Sequence, residues 1–203
     1  MTGTSRPRGL AALRRTLAPF ARPIVRTFGG GLGRLRRRRR YMQHGIEGIA
    51  GELRTTTNAH AAILREFGAH VGRNCSIHGP LHIVNAGTDF SNLSIGDRVH
   101  LGANVLIDLA DSVHIEDEAT ISMNCALITH IDVGPGPLRE RRPRETGPVR
   151  IASGAYLGAG VTVLHGVTVG KLATAGAHAV LRKDVAPGAT VVAPDAIVLE
   201  DQI

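Results

Sequence analysis

Residues 151–193 read IASGAYLGAGVTVLHGVTVGKLATAGAHAVLRKDVAPGATVVA. Framed in sixes from Ile151, the lead positions are Ile151, Leu157, Val163, Val169, Ala175 and Leu181, all aliphatic or Ala. The fifth positions are Ala155, Val161, Val167, Ala173, Ala179 and Val185, again all small or aliphatic. Gly follows the lead at Gly158, Gly170 and Gly176. Self-similarity at a fixed short period marks a stack of small units, each of which buries its apolar side against its neighbours.

The same frame runs upstream. Ile95-Gly96, Leu101-Gly102 and Ile107 lead three units, Ile115, Ile121 and Leu127 follow after a two-residue offset, and Val71-Gly72, Ile77 and Ile83 precede them. Each lead points inward from a short strand, and a small residue beside it permits a corner, where Gly has no steric cost. Three strands and three corners close one triangular coil, so the expected fold is an all-β solenoid, a left-handed parallel β-helix. That hand runs against the usual right-handed crossover, and the regularity of the spacing is the reason to accept it. Two stretches interrupt the frame: Asn85–Leu93, and Asp132–Pro148, which reads DVGPGPLRERRPRETGP. A long excursion from a regular coil is functional or disordered.

Composition agrees with an aliphatic core, since the 203 residues include no Trp, two Tyr and four Phe. Residues 1–42 hold twelve Arg and no acid against a whole-chain charge of +7, which leaves the rest at −5. The basic character therefore belongs to a tail. Residues 1–43 read as basic and mostly disordered, with a short helix near Leu10–Phe20 and a break at Gly29-Gly30-Gly31. Its candidate partners are an anionic membrane surface or nucleic acid, and the lack of stacking aromatics disfavours the second. Residues 44–69 form a capping helical region, with Ile46, Ile49, Ala50, Leu53, Ala61, Leu64 and Phe67 on one face and Gly68 as the stop. Residues 70–203 are the β-helix, closed at its far end by Ala189–Ile203. Cys75 and Cys125 lack metal or disulfide spacing and read as small interior residues. No run of 18 apolar residues occurs and no signal sequence is evident, so the expected location is cytoplasmic, peripheral at the inner membrane face if the tail makes that contact.

The quoted stretch resembles, unit by unit, the C-terminal coils of hexapeptide-repeat O-acetyltransferases of the maltose, galactoside and nodulation-factor type, and those of polysaccharide-biosynthesis acetyltransferases. The likeness covers roughly residues 70–195. It implies a homotrimeric acyltransferase that moves an acyl group, acetyl by default, from acyl-CoA to a hydroxyl of a sugar, polysaccharide precursor or similar small molecule, with no metal.

The resemblance also assigns residues. A His at the end of a strand, just before the long excursion, is that family's general base, and here the place belongs to His130. An imidazole, with an unperturbed pKa of about 6.5, suits deprotonation of an attacking hydroxyl near neutral pH. Maltose-type enzymes carry the His two residues later, where this chain has Asp132; polysaccharide-type members carry Thr-His at the earlier place. Asp132 is accordingly an orienting or acceptor-side carboxylate. Asn104, eleven residues before Ile115, matches a family Asn that binds the acceptor hydroxyl, and Asp108 is a further acceptor-side residue. Gly158, Ala159, Gly176 and Ala177 match positions where small side chains let the pantetheine arm approach the backbone. Lys183, with Arg182 in place of a family Thr, matches a Lys that meets CoA phosphate. The family's closing Gly-Asn-Pro-Ala and basic residue are replaced by Val192-Ala193-Pro194-Asp195 with no later Arg or Lys.

Bland readings stand beside these. His130, like His165 and His178, fits a solvent-facing corner, Asn104 fits a left-handed turn, and Lys183 fits an exposed charged corner. Among other activities on this fold, γ-type carbonic anhydrase needs two His separated by four residues, a spacing absent here. Serine acetyltransferases have a longer helical domain, nucleotide-sugar N-acyltransferases add a nucleotide-binding domain, and a non-catalytic β-helix scaffold remains as the other class.

Overall fold

A computed structural model of the chain describes residues 18–55 and 58–195. The chain divides into two compact units, Met1–His44 and Gly45–Ile203. The first unit contributes helix up to its border with the second. The helix Ala18–Leu53 is interrupted at Gly45, whose φ of 60° and ψ of −159° are not helical. Residues 18–43, part of the segment read as a basic tail, lie within this helix. Arg and Leu are among the better helix formers, and each Gly costs only about 1 kcal/mol relative to Ala. Neither the Gly run nor the Arg36–Arg40 block breaks the helix. Most of the short helix expected near Leu10–Phe20 lies outside the described residues.

In the second unit the helical region buries Ile46, Ile49, Ala50 and Leu53, and the helix His60–Glu66 buries Ile63 and Leu64. Ala61 and Phe67 are only half-buried, so the inner face includes Ile63 where the spacing had placed Ala61. The His60 ring Nε2 donates to the Leu53 carbonyl at 3.0 Å and bridges the break between the helices. The helix closes one end of the coils. Arg65 Nε donates to the Val71 carbonyl at 2.8 Å and its guanidinium also reaches the Gly72 carbonyl.

Parallel strands then stack in three faces. The first face holds β1 (His70–Val71), β4 (Leu93–Ile95), β7 (Val113–Ile115), β12 (Val149–Ile151) and β15 (Thr168–Val169). The second holds β2 (Ser76–Ile77), β5 (His100–Leu101), β8 (Thr120–Ile121), β13 (Tyr156–Leu157), β16 (Thr174–Ala175) and β18 (Thr190–Val191). The third holds β3 (Leu81–Val84), β6 (Val105–Asp108), β9 (Ala126–Leu127), β14 (Thr162–Val163) and β17 (Val180–Leu181). The chain visits the faces in rotation, giving a parallel β-solenoid of about five turns, in agreement with the expected left-handed β-helix.

Register follows the hexad leads. Ile95, Ile115, Ile151 and Val169 pair in sequence on the first face, and Leu101, Ile121, Leu157 and Ala175 on the second. Ile107, Leu127, Val163 and Leu181 pair on the third. All twelve are buried, because a lead residue that points inward meets only its counterparts above and below. Cys125 is buried with them, whereas Cys75, in the first coil, is half-buried.

Corners stack as well. Asn104, Asn124, Gly160 and His178 form one column between the second and third faces, with φ of 64°, 61°, 72° and 61°. This left-handed backbone is the reason for Asn and Gly at that corner. The corner between the third and first faces is different. Asn85–Leu93, the two-residue offset after Asp108 and the excursion from Asp132 to Pro148 all leave the coil there, each directly after a third-face strand or its continuation. The excursion itself folds back as an antiparallel hairpin, β10 (His130–Ile131) with β11 (Glu145–Thr146).

Candidate active site

The corner where the three interruptions stack also gathers Asp108 and Thr129, the buried polar side chains of the coils among the described residues. Register places Asp108 beside Val84 of the preceding coil, so Asn85 lies one residue past that pairing. Thr129 and His130 follow β9 on the next coil. Asp108 and Thr129 are almost wholly buried, at 1% and 0% exposure. A buried carboxylate requires several donors, and Asp108 has them. Its Oδ1 accepts from Asn85 Nδ2 at 2.7 Å and from the Ala110 amide at 3.2 Å. Its Oδ2 accepts from the Thr129 amide at 2.9 Å, from Thr129 Oγ1 at 2.9 Å and from His130 Nδ1 at 2.5 Å.

Burial pushes the Asp108 carboxyl pKa up, but the bonds from Asn85, His130 and Thr129 outweigh it and bring the value down to about 2. The group is therefore an anion at neutral pH. An acceptor-only anion at Nδ1 requires the proton on that nitrogen. In the neutral ring this leaves the lone pair on Nε2, which has no partner among the described residues. The His130 side chain is 26% exposed, so the ring is anchored at its inner nitrogen and open at its outer one.

Other sequence-derived residues fall elsewhere. Asp108 had been expected on the acceptor side; its carboxylate is instead enclosed and turned to His130. Asp132, the other carboxylate expected to orient the base, does not touch the imidazole. Its Oδ1 accepts from the Gly134 amide at 2.7 Å and its Oδ2 lies 3.8 Å from Arg144 Nε. Asn104 belongs to the opposite corner of the third face, four residues and about 13 Å along the strand from Asp108. Its Oδ1 accepts from His82 Nε2 at 2.8 Å and its Nδ2 donates to Asn124 Oδ1 at 2.9 Å.

The residues matched to CoA divide in the same way. Gly158, Ala159, Gly176 and Ala177 lie at the Asn104 corner, farther along the stack. Gly158 has a structural task there, because a Cβ on it would sit 2.7 Å from the Ala177 amide nitrogen and 3.0 Å from the Ala175 carbonyl oxygen. Its small size serves coil stacking. Arg182 and Lys183 are exposed at the His130 corner, two coils beyond Ile128, or about 10 Å at the usual strand spacing. They line a shallow groove with His178, Val180, Val192 and Pro194. Asp184 of the same run caps the Thr168 amide at 2.7 Å. The third-face exterior between the two corners is largely apolar: Leu106, Ala126, Thr162 and Val180 form one column, with Ile128 and Leu164 beside it.

Asn85 and Thr129 were not singled out from sequence. The signal was present in part, since Asn85 opens one interruption and Thr129 precedes the other. Among the described residues no group of three or more His, Cys, Asp or Glu is arranged to hold a metal ion, and no helix is long and apolar enough to cross a membrane.

Comparison with known proteins agrees with this architecture. A family profile, the hexapeptide repeat of succinyl-transferase, matches residues 92–128. Galactoside O-acetyltransferase of Lactococcus lactis subsp. lactis (strain IL1403) is 28% identical over 124 residues, 61% of this chain and 58% of that protein. The Escherichia coli (strain K12) galactoside O-acetyltransferase is 26% identical over 126 residues, 62% and 60% of the two chains. The chain thus aligns with about three-fifths of the length of these relatives. A hexapeptide-repeat acetyltransferase from Vibrio cholerae superposes with a TM-score of 0.63 at 22% identity, over 75% of this chain and 85% of that one. A galactoside acetyltransferase solved with coenzyme A gives 0.62 at 22%, over 72% and 74%. With repeat profile, relatives and solved folds in agreement, this chain is a hexapeptide-repeat left-handed β-helix protein similar to the acetyltransferases of that fold.

Proposed function

We propose that the protein is an acyl-CoA-dependent O-acyltransferase acting on a hydroxylated small molecule or sugar, with His130 as general base. The observation that carries this reading is the Asp108–His130 pair, an imidazole held at 2.5 Å through Nδ1 by a buried carboxylate and open at Nε2. The relatives named galactoside O-acetyltransferase and the neighbour solved with coenzyme A support the same chemistry.

In this mechanism the acceptor hydroxyl donates its proton to His130 Nε2 as its oxygen forms a bond to the thioester carbonyl carbon. Asp108 stabilises the imidazolium that results. Collapse of the tetrahedral adduct breaks the C–S bond, and the departing thiolate takes the proton back from Nε2. The products are the ester and free CoA thiol. Arg182 and Lys183 offer charge to CoA phosphate on the same edge of the coil.

Asn104, Ala159 and Ala177 occupy the other edge of the third face, and about 13 Å is too far for one acceptor hydroxyl to meet both Asn104 and His130 on a single chain. The reading therefore includes a second copy, whose Asn104 edge faces the His130 edge of the first across the apolar third face; a closed ring of three is the assembly we infer. Contact of the basic helix, which exposes Leu32, Leu35 and Met42 among Arg34 and Arg36–Arg40, with an anionic membrane surface is a separate proposal. Unchanged binding to anionic vesicles after deletion of residues 1–42 excludes it.

The direct test mixes purified protein with acetyl-CoA and a panel of hydroxylated acceptors and follows thiol release. Acceptor-dependent release that falls by about 10²–10⁴-fold in His130→Ala supports the reading. Full turnover in that variant removes His130 from the mechanism, and absence of CoA binding favours a non-catalytic scaffold.

A further inference from the structure

The excursion hairpin is rooted in the base. His130 pairs with Thr146 and Ile131 with Glu145 in antiparallel register. Directly opposed residues in such a pair project to the same side, and the side alternates along the strand. His130 and Thr146 therefore share a face with the next alternate pair, Asp132 and Arg144. The 3.8 Å approach of Arg144 Nε to Asp132 Oδ2 agrees with that arrangement. Arg144 is two residues along the hairpin from the level of His130, about 7 Å.

The Asp132–Arg144 contact is beyond hydrogen-bond range, and the Arg144 side chain is 53% exposed. Asp132 steers the guanidinium by charge while its terminal nitrogens stay available. Past Arg144 the tip carries Arg139, Arg141 and Arg142, all exposed, with Glu140 as the acid among them. None of these three Arg has an ion-pair partner among the described residues. Turn bonds from the Arg139 amide to the Gly136 carbonyl at 3.0 Å and from the Arg142 amide to the Leu138 carbonyl at 2.8 Å shape the tip. Beyond residue 42 the chain is acidic, at −5, so Arg clustered on the hairpin that starts at His130 stand out from their surroundings.

We propose that this hairpin selects an acceptor that bears an acidic group, a carboxylate or phosphate, about one sugar ring away from the hydroxyl that is acylated. Arg144 is the specificity residue and the tip Arg residues attract the anion. A guanidinium fork matches either oxyanion in a bidentate mode. This inference rests on the acyl-transfer reading and narrows its substrate class. The competing source of negative charge is CoA itself, whose phosphates the proposed function assigns to Arg182 and Lys183.

The experiment uses the full chain at saturating acetyl-CoA with glucose, glucuronate and glucose 6-phosphate as matched probes. The expected result is a kcat/KM at least about 10-fold higher for an acidic probe, the scale of one hydrogen bond to a charged group, with a preference that weakens as salt is raised. Arg144→Gln should bring the acidic-to-neutral ratio close to one while the KM for acetyl-CoA holds. Equal rates on acidic and neutral probes in the wild-type protein overturn the proposal. So does a rise in acetyl-CoA KM in Arg144→Gln with the acceptor ratio retained, since the hairpin would then serve CoA. If no acceptor supports thiol release, the acyl-transfer reading is what fails. Calorimetry of glucuronate, glucose 6-phosphate and glucose binding then judges the hairpin alone, and absence of preferential acidic binding overturns it.

Discussion

Asp108 Oδ2 and His130 Nδ1, 22 residues apart in sequence, meet at 2.5 Å because the register sets Asp108 level with Ile128 of the next coil and His130 follows two residues later around the same corner. The carboxylate is buried and five donors surround it, whereas the imidazole reaches the surface. The imidazole is anchored from inside the coil and its other nitrogen faces out.

Replacing that carboxylate should affect rate more than fold. In Asp108→Asn the amide can donate to Nδ1 and so favours the wrong tautomer. A fall in kcat of up to about 10⁴-fold is expected, with the acetyl-CoA KM little changed. Steady-state kinetics on both substrates provide the check, and a variant that keeps wild-type kcat refutes the tautomer argument.

The same group predicts an acid-stability signature. Its folded pKa of about 2 lies below the ordinary carboxylate value, so its contribution is fully present above about pH 4 and is lost as pH falls toward 2. The difference in urea midpoint between wild type and Asp108→Asn should therefore shrink over that interval. A difference that is constant or grows on acidification contradicts the assignment.

Gly158 separates packing from cofactor contact. Its Cβ would meet the backbone of the next coil at 2.7 Å, so Gly158→Ala should cost about 1–3 kcal/mol and lower the melting temperature before any change in acyl-CoA KM. An unchanged melting temperature with a raised KM would return Gly158 to the ligand.

Lys183→Ala should raise the KM for acetyl-CoA about 10-fold with little effect on kcat, the behaviour of uniform binding. The effect should vanish when acetyl-pantetheine, which lacks the CoA phosphates, replaces acetyl-CoA. A loss confined to kcat would assign Lys183 another task.

If two copies complete one site, inactive chains should rescue each other. Co-purified His130→Ala and Ala177→Trp chains should recover part of the activity that each lacks alone, because mixed assemblies contain intact pairs of edges. Activity no greater than that of either parent, in material shown by sedimentation to be mixed, places the whole site on one chain.

The fold was legible in the hexads because a lead residue points inward whatever its neighbours do. Ile151, Leu157 and Val163 announce three faces without reference to anything distant. His130, the proposed base, was named through the family resemblance, which puts such a His where the frame breaks. Its partner was not. Asp108 sits in an ordinary-looking Ile-Asp-Leu stretch and was expected to face an acceptor, while Asp132, nearer in sequence, seemed the natural orienter. The tail shows the limit of local reading in the other direction. Its Gly run and Arg block pointed to disorder, whereas residues 18–43 lie within the helix Ala18–Leu53.

Sequence alone determined the solenoid, its aliphatic core and the corner at which the chain leaves it, because period and side-chain alternation are local properties of the backbone. Tertiary structure alone decided that Asn85, Asp108 and His130 converge, that Asp132 turns instead toward Arg144, and that Asn104 and His130 occupy opposite edges of one face. Those relations depend on how three unequal interruptions shift the register between coils. An insertion moves every later residue relative to its neighbour above, and only the closed stack of hydrogen-bonded coils fixes which side chains then meet.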